Sequence, residues 1–271
     1  MSLGRVGAIV LRQLYLLSGS PQRILPMIAW VAIDIVLWGF ITRYLNSVTN
    51  AAGGSHFNFV PALLGAVLLW DFLTRVMQGV TMAFFEDVWS RNFLNFFATP
   101  LRTSEYLAGL VVTGIGTSLI GLVVMLGLAS LVFGLSFLTY GAVLIPALMV
   151  LFVMGIAMGI AATAIVLRLG PASEWLIWPI PTMVAPFAGV FYPVSVLPGW
   201  MQAISKALPP SYVFEAMRAV VARKPAPWDQ IGIGAGLAVV YLGLACLLFG
   251  AVYRHAIRTG LIARYSAETV S

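Results

Sequence analysis

Residues 106–133 read YLAGLVVTGIGTSLIGLVVMLGLASLVF and residues 138–167 read LTYGAVLIPALMVLFVMGIAMGIAATAIVL, and neither run holds an Asp, Glu, Lys or Arg. A hydrocarbon core about 30 Å thick is crossed by about 20 apolar helical residues. Both runs exceed that length, so they are expected to span a bilayer with residues to spare, which tilting, kinking or projection must absorb. Pro146 is the expected kink in the second run. The connection FGLSFLTYG (133–141) is short enough to make the two runs antiparallel neighbours.

Working outward, four further apolar runs follow, three of them holding one or two charged residues. Residues 24–44 and 59–82 predict the first and second spans, joined by the polar, glycine-rich NSVTNAAGGSHFN (46–58). A fifth span is expected at 174–192, interrupted by Pro179, Pro181 and Pro186, and a sixth at 230–252. Hydrophobic residues make up 61% of the 271 positions and charged residues 9%, against roughly 25% charged in a soluble domain. The chain is therefore expected to be an all-α integral membrane protein with six transmembrane helices.

Three segments do not fit a span. Residues 3–19 are amphipathic: Val6, Val10, Leu14 and Leu17 recur at helical spacing, while Arg5 and Arg12 share another face. That pattern suits a helix lying in the membrane interface with its arginines toward headgroups. It lacks a small-residue cleavage site and does not read as a removed signal peptide. The loop FFEDVWSRNFLNFFATPLRTSEYLAGL (84–110) carries Trp89, Phe93, Phe96 and Phe97 as an aromatic stripe flanked by Glu86, Asp87 and Arg91, with Thr99–Pro100 as a helix start. An amphipathic helix of this kind binds the membrane surface, its own neighbours or a partner protein. The third segment, 193–228, is too polar and proline-broken for a single span.

The net charge of +6 follows the excess of basic residues in cytoplasmic loops. With the N-terminus inside, Arg5, Arg12, Arg23, Arg91, Arg102, Arg168, Arg254, Arg258 and Arg264 are cytoplasmic, and Arg43, Lys206, Arg218, Arg223 and Lys224 are outside. Both termini are therefore expected in the cytoplasm, although four of the five outside charges crowd into the region after residue 192. The basic residues form no stripe, so nucleic acid is not an expected partner.

No enzyme site assembles. His56 and His255 have no metal-ligand neighbour at motif spacing, neither Lys206 nor Lys224 sits in a phosphate-cradling loop, and Cys246 has no second cysteine. No metal or cofactor is expected on this chain. Two acids fall inside spans, where each costs about 2.5–3.5 kcal/mol on insertion scales. Asp71 has Arg75 one turn later, which serves equally as a neutralised structural pair or in transport. Asp34 has no local basic partner and lies between Trp30 and Trp38 on one face. Gly155 with Gly159 and Gly232 with Gly236 are small-residue pairs of the kind that let helices approach.

Two motifs resemble the type-2 ABC exporter permeases, membrane subunits that work with a separate cytosolic ATPase. FFATPLRTSEYLAGL (96–110) looks like that family's coupling-helix stretch. FAGVFYPVSVLPGWMQAISKALPPSYVFEAMRAV (187–220) is similar to the segment after its fifth span, with Gly189, Tyr192–Pro193, Leu197–Pro198, Trp200, Pro209, and Glu215 followed by Arg218. The chain departs from the family in having DVWSRNFLNFFATPL (87–101) where many members carry a charged run with Gly-Thr, which implies a more aromatic ATPase contact.

The resemblance implies one transmembrane domain over 1–271: an interface helix at 1–22, spans one to five within 23–192, outer re-entrant helices at 193–228, span six at 229–253 and a cytoplasmic tail at 254–271. It implies a homodimer in the bacterial cytoplasmic (inner) membrane with two ABC ATPase subunits, which carry the ATP and Mg. Glu86, Asp87, Trp89, Arg91, Phe93, Phe96 and Phe97, with Arg5 and Arg12, would couple to the ATPase. Trp30, Asp34, Trp38, Asp71, Phe187 and Phe191 would line the substrate path, and the scarcity of charge there suits an amphiphilic or hydrophobic cargo such as a glycolipid, polysaccharide, lipid or drug. The competing expectation is an ion-coupled secondary transporter in which Asp34 or Asp71 titrates; it predicts inverted repeats and matched broken spans in both halves, whereas a broken span occurs only in the second half.

Overall fold

Backbone polar groups in hydrocarbon must be satisfied within their own segment, so apolar runs of this length fold as helices. A computed structural model of the chain describes residues 2–18, 21–51, 58–89 and 102–259, and among them there is no strand. The N-terminal helix α1 (Leu3–Ser18) precedes the 31-residue α2 (Pro21–Ala51). A π-helical turn at Val60–Leu64 runs into α3 (Gly65–Trp89). After residues outside the description come α4 (Thr103–Phe133), a 3-10 segment at Phe137–Val143 and α5 (Leu144–Leu169). A second 3-10 segment, Pro171–Ile177, leads to the short α6 (Pro179–Ala188), α7 (Gly199–Ser205) and α8 (Pro209–Val221). The last helix is α9 (Trp228–Thr259).

Among the described residues, four stretches are long and apolar enough to cross a membrane: Val60–Phe85, Ser104–Phe133, Phe137–Leu169 and Trp228–Thr259. Burial separates them. The first and third are 61% buried over their most apolar windows, against 17% and 22% for the second and fourth. The helix α3 is therefore central, with α4 on one side and α5 on the other, and α9 packs on the far side of α5. The outward side chains of the peripheral helices are apolar: Ile120, Val123 and Leu131 on α4 are 66–86% exposed, as are Leu244 and Leu247 on α9 at 57% and 70%. Water would not tolerate such a continuous apolar surface, and lipid solvates it. The chain is a multi-pass membrane protein.

Three expectations change. The kink near the start of the fourth run lies at Gly141, with φ 56° and ψ −150°, and not at Pro146. Only glycine enters that backbone region without strain. Pro146 sits in the first turn of α5, where a missing N–H removes no helical bond. The expected fifth span is shorter than drawn: its helix proper is the ten residues of α6, preceded by the 3-10 turns and followed by a turn at Gly189. The expected tail at 254–271 begins inside a helix, since α9 continues through Arg254, His255 and Arg258 to Thr259.

Helix contacts explain the small residues. Gly155 and Gly159 on α5 face α3 so closely that an added Cβ would lie 2.8 Å from the Leu73 carbonyl oxygen and from Val76 Cβ at the first, and 2.8 Å from Val80 Cβ at the second. On the other side of α3, Gly79 meets Gly114 of α4, where a Cβ would lie 2.9 Å from opposing backbone. Gly232 and Gly236 have the same spacing, yet nothing lies within 4 Å of the Cβ position at either. They face outward, so their spacing carries no helix contact among the described residues.

Candidate functional site

The segment 90–101 leaves α3 at Trp89 and returns before α4 at Thr103. Its own structure lies outside the described residues, and so do Arg91, Phe93, Phe96 and Phe97, as well as the Thr99–Pro100 helix start. The side chains of Glu86 and Trp89 are likewise not described. What the structure does define is the anchorage of both ends of this segment, and α1 supplies it.

At the end of α3, the Asp87 side chain has no solvent exposure. It accepts from the Arg12 guanidinium of α1, from the Tyr106 hydroxyl of α4 at 2.9 Å, and from Gln13 Nε2 at 3.4 Å. Gln13 also donates to the Ala83 carbonyl oxygen at 3.1 Å. At the start of α4, Glu105 is 2% exposed and accepts from the Ser2 backbone N–H at 2.7 Å, the Arg5 guanidinium at 3.2 Å and the Arg102 backbone N–H at 3.1 Å. Glu105 occupies the third position of α4, where a carboxylate complements the exposed N–H groups of the first turn. Two buried carboxylates 18 residues apart thus grip the two arginines of α1 that lie seven residues apart.

Apolar contacts complete the joint. Val6 and Ile9 are buried, and the Ile9 side chain fills the space above Gly109 of α4, where a Cβ would lie 2.6 Å from it. The face of α1 turned to the bundle is therefore Val6, Ile9 and Gln13, while Leu14 of the apolar stripe is 54% exposed. Arg5 and Arg12 were expected on the headgroup side and instead reach across to α4 and α3. Asp87, one of the residues expected to couple to an ATPase, has its side chain enclosed by α1, α3 and α4. Gln13 and Tyr106 carry no local mark of their roles: their shared partner Asp87 lies 74 and 19 positions away.

A second polar group lies within the apolar bundle. Arg75 Nε donates to Asp71 Oδ2 at 2.6 Å and its Nη2 to Oδ1 at 3.3 Å, as the i, i+4 spacing predicts. The two side chains are 11% and 18% exposed. Asp34 is not isolated as its own helix suggests, for it lies within electrostatic range of both Asp71 and Arg75. One turn along α2, Trp38 stacks on Phe191 with ring centroids 5.3 Å apart and planes 10° from parallel. Phe187 meets Trp200 edge-on at 6.2 Å. Of the six residues expected on a substrate path, the structure brings Asp34 near Asp71 and seats Trp38 on Phe191; the Trp30 side chain is not described.

Breaking the ion pair tests what it does. Arg75→Gln removes the ion-pair partner of Asp71 in a low-dielectric site and is expected to destabilise the membrane domain by about 3 kcal/mol. Adding Asp71→Asn should restore most of that loss, measured by thermal unfolding in lipid nanodiscs. A structural pair predicts that the double variant also retains transport; loss of transport with stability restored would assign Asp71 a direct part in translocation.

The segment after α6 is held by a third set of bonds. Glu215 of α8 accepts from the Val194 backbone N–H at 2.7 Å and from Arg218 at 3.0 Å, and Arg218 reaches the Val190 carbonyl oxygen at 3.4 Å. Ser205 donates to the Phe187 carbonyl oxygen at 2.6 Å. Glu215 and Arg218, three apart in sequence, thus tie the turn 189–196 to α8. The family profile described as ABC-2 type transporter matches residues 6–221, from α1 through the end of α8. No curated protein matches the chain.

Proposed function

The chain belongs to the ABC-2 type transporter family, and from that membership we propose that it is the permease half of an ATP-driven exporter. The membrane component of such a transporter is not itself catalytic, and the family works with an ABC ATPase. In this reading two copies of the chain pair in the bacterial cytoplasmic membrane with two ATPase subunits. Each copy contributes six spans: α2, α3, α4, α5, the broken segment through α6, and α9. Both termini face the cytoplasm. The substrate path runs between the two copies along α2, α3 and α6, and its few charges suit an amphiphilic cargo.

The observation that carries this reading is the joint at Asp87 and Glu105. It fastens α1 and both ends of the 90–101 segment into one unit, so a force applied there reaches α3 and α4 together. Because α3 packs closely on its neighbours through Gly79, Gly155 and Gly159, it moves with them as a body and does not bend locally. The aromatic residues Trp89, Phe93, Phe96 and Phe97, with Glu86 and Arg91, form the surface the ATPase grips. Ion coupling is the weaker reading, because the more buried of the two intramembrane acids is already neutralised by Arg75.

The test is co-purification of the chain with its ATPase, followed by ATP hydrolysis in lipid. Association of a nucleotide-hydrolysing subunit is expected, and Phe93→Glu with Phe96→Glu should weaken it by tenfold or more while the membrane domain stays folded. Wild-type association and coupled turnover in that variant would overturn the assignment of this surface.

A further inference from the structure

Lys206 is one of the basic residues that the charge distribution leaves on the outer side, and its place in the fold gives it a use. The α8 helix follows it and packs along α9 after a connection of only six residues, 222–227, so the two run antiparallel. Within that pair the Pro209 carbonyl oxygen and Tyr212 Cβ lie beside Gly234 at 3.4 and 3.3 Å from its Cβ position. Gly234 is six residues into α9, which at 1.5 Å per residue places this contact about 9 Å below the Trp228 end of the helix. Lys206 sits in the turn just before α8, held by the Tyr212 hydroxyl donating to its carbonyl oxygen at 2.8 Å. Its side chain is exposed and makes no ion pair with any described residue.

The 32 residues of α9 exceed a hydrocarbon core about 30 Å thick by about 18 Å, so a contact about 9 Å from one end lies near the phosphate layer, within reach of the Lys206 ammonium. Its surroundings complement an amphiphile. Trp200 and Ile204, one turn apart on α7, are 64% and 41% exposed and present an apolar strip that ends two residues before the cation. We propose that this turn is a binding site for an anionic phospholipid of the outer leaflet, with the phosphate on the Lys206 ammonium and the acyl region along Trp200 and Ile204. A zwitterionic lipid carries its own ammonium beside the phosphate and competes with Lys206, so the site prefers a headgroup of net negative charge. The site's assignment to the outer leaflet rests on the orientation given under Proposed function.

The experiment adds dioleoyl phosphatidylglycerol or dioleoyl phosphatidylcholine to the full chain in mild detergent and counts retained lipids by native mass spectrometry. One lysine near an anionic surface corresponds to about a fivefold change in binding, so Lys206→Gln should lower phosphatidylglycerol retention by about fivefold and leave phosphatidylcholine unchanged. Lys206→Arg should retain the preference, and Lys224→Gln, at the other end of α8, should behave as wild type. Unchanged retention in Lys206→Gln, or an equal loss in Lys224→Gln, would overturn the site. The orientation is read separately by Lys206→Cys in a Cys246→Ser background. Labelling by a membrane-impermeant maleimide from the outside is expected, and labelling only from the cytoplasmic side would reject the orientation while leaving the lipid measurement to stand or fall by itself.

Discussion

Asp87→Ala is expected to release α1 from the bundle and to uncouple the transporter while leaving its spans inserted. The carboxylate is fully buried and has three partners on two other helices. Its removal takes the carboxylate from the Arg12 guanidinium and the Tyr106 hydroxyl, and loss of one member of a buried pair costs about 3–5 kcal/mol. Arg12 is a quarter exposed and can turn partly to water, which places the expected cost at the lower end, about 3 kcal/mol. The loss is local, because α3, α4 and α5 keep their contacts. Hydrogen exchange of residues 3–18 should therefore rise by roughly a hundredfold, with exchange in α5 unchanged. Asp87→Asn keeps one acceptor oxygen, enough for Tyr106 or for Gln13 but not for both, and should lie between wild type and alanine. In the complex with its ATPase, hydrolysis should continue while its dependence on the permease disappears. Unaltered exchange in α1 would show that Val6 and Ile9 hold the helix without the carboxylate.

Gly159→Val is expected to be the most damaging single substitution in the membrane domain. The helix pair α3–α5 is built on backbone approach at Gly155 and Gly159, where a Cβ already comes within 2.8–2.9 Å of Val76, Val80 and the carbonyl oxygens of Leu73 and Met77. A β-branched side chain needs more than the few tenths of an ångström that one side chain can yield, so the helices must separate. Overpacking of a tight site costs about 1–3 kcal/mol, and separation along α3 forfeits further contacts of Leu73, Val76 and Met77, all fully buried. A loss at or above the top of that range is expected, read as a fall in the thermal midpoint in nanodiscs and in expression. The same change at Gly236 is the control, since nothing lies within 4 Å of its Cβ position, and it should be nearly neutral for the isolated chain.

This pair of glycine motifs shows where reading a sequence stops. Gly155/Gly159 and Gly232/Gly236 have one spacing and one composition, but among the described residues only the first pair faces another helix. Spacing marks a smooth helix face and carries no information about what stands opposite. The apolar runs, by contrast, were legible because the bilayer imposes a length and a periodicity on each helix separately. The Asp71–Arg75 pair was legible for a related reason, since both partners lie on one helix one turn apart. Asp87 and Glu105 were visible as acids near a loop, yet their partners Arg12 and Arg5 lie 75 and 100 residues away, and no local pattern encodes that meeting. Pro146 drew attention as a helix breaker, although at the first turn of α5 it is harmless and Gly141 makes the bend. The aromatic helix expected around residues 86–98 falls largely outside the described residues; only the anchorage of its two ends is seen.

The joint at Asp87 also imposes an order on biogenesis. The residues that receive α1 belong to α3 and α4, which leave the ribosome well after it; at roughly 5–20 residues per second the interval is several seconds. During that time Val6 and Ile9 have no protein to pack against, and an amphipathic helix in that position rests on the nearest lipid surface. The N-terminal helix is thus a temporary resident of the membrane face, recruited into the bundle once Tyr106 and Glu105 emerge. A nascent chain stopped before α4 would leave it on the lipid, where a probe at Ile9 would report membrane in place of protein.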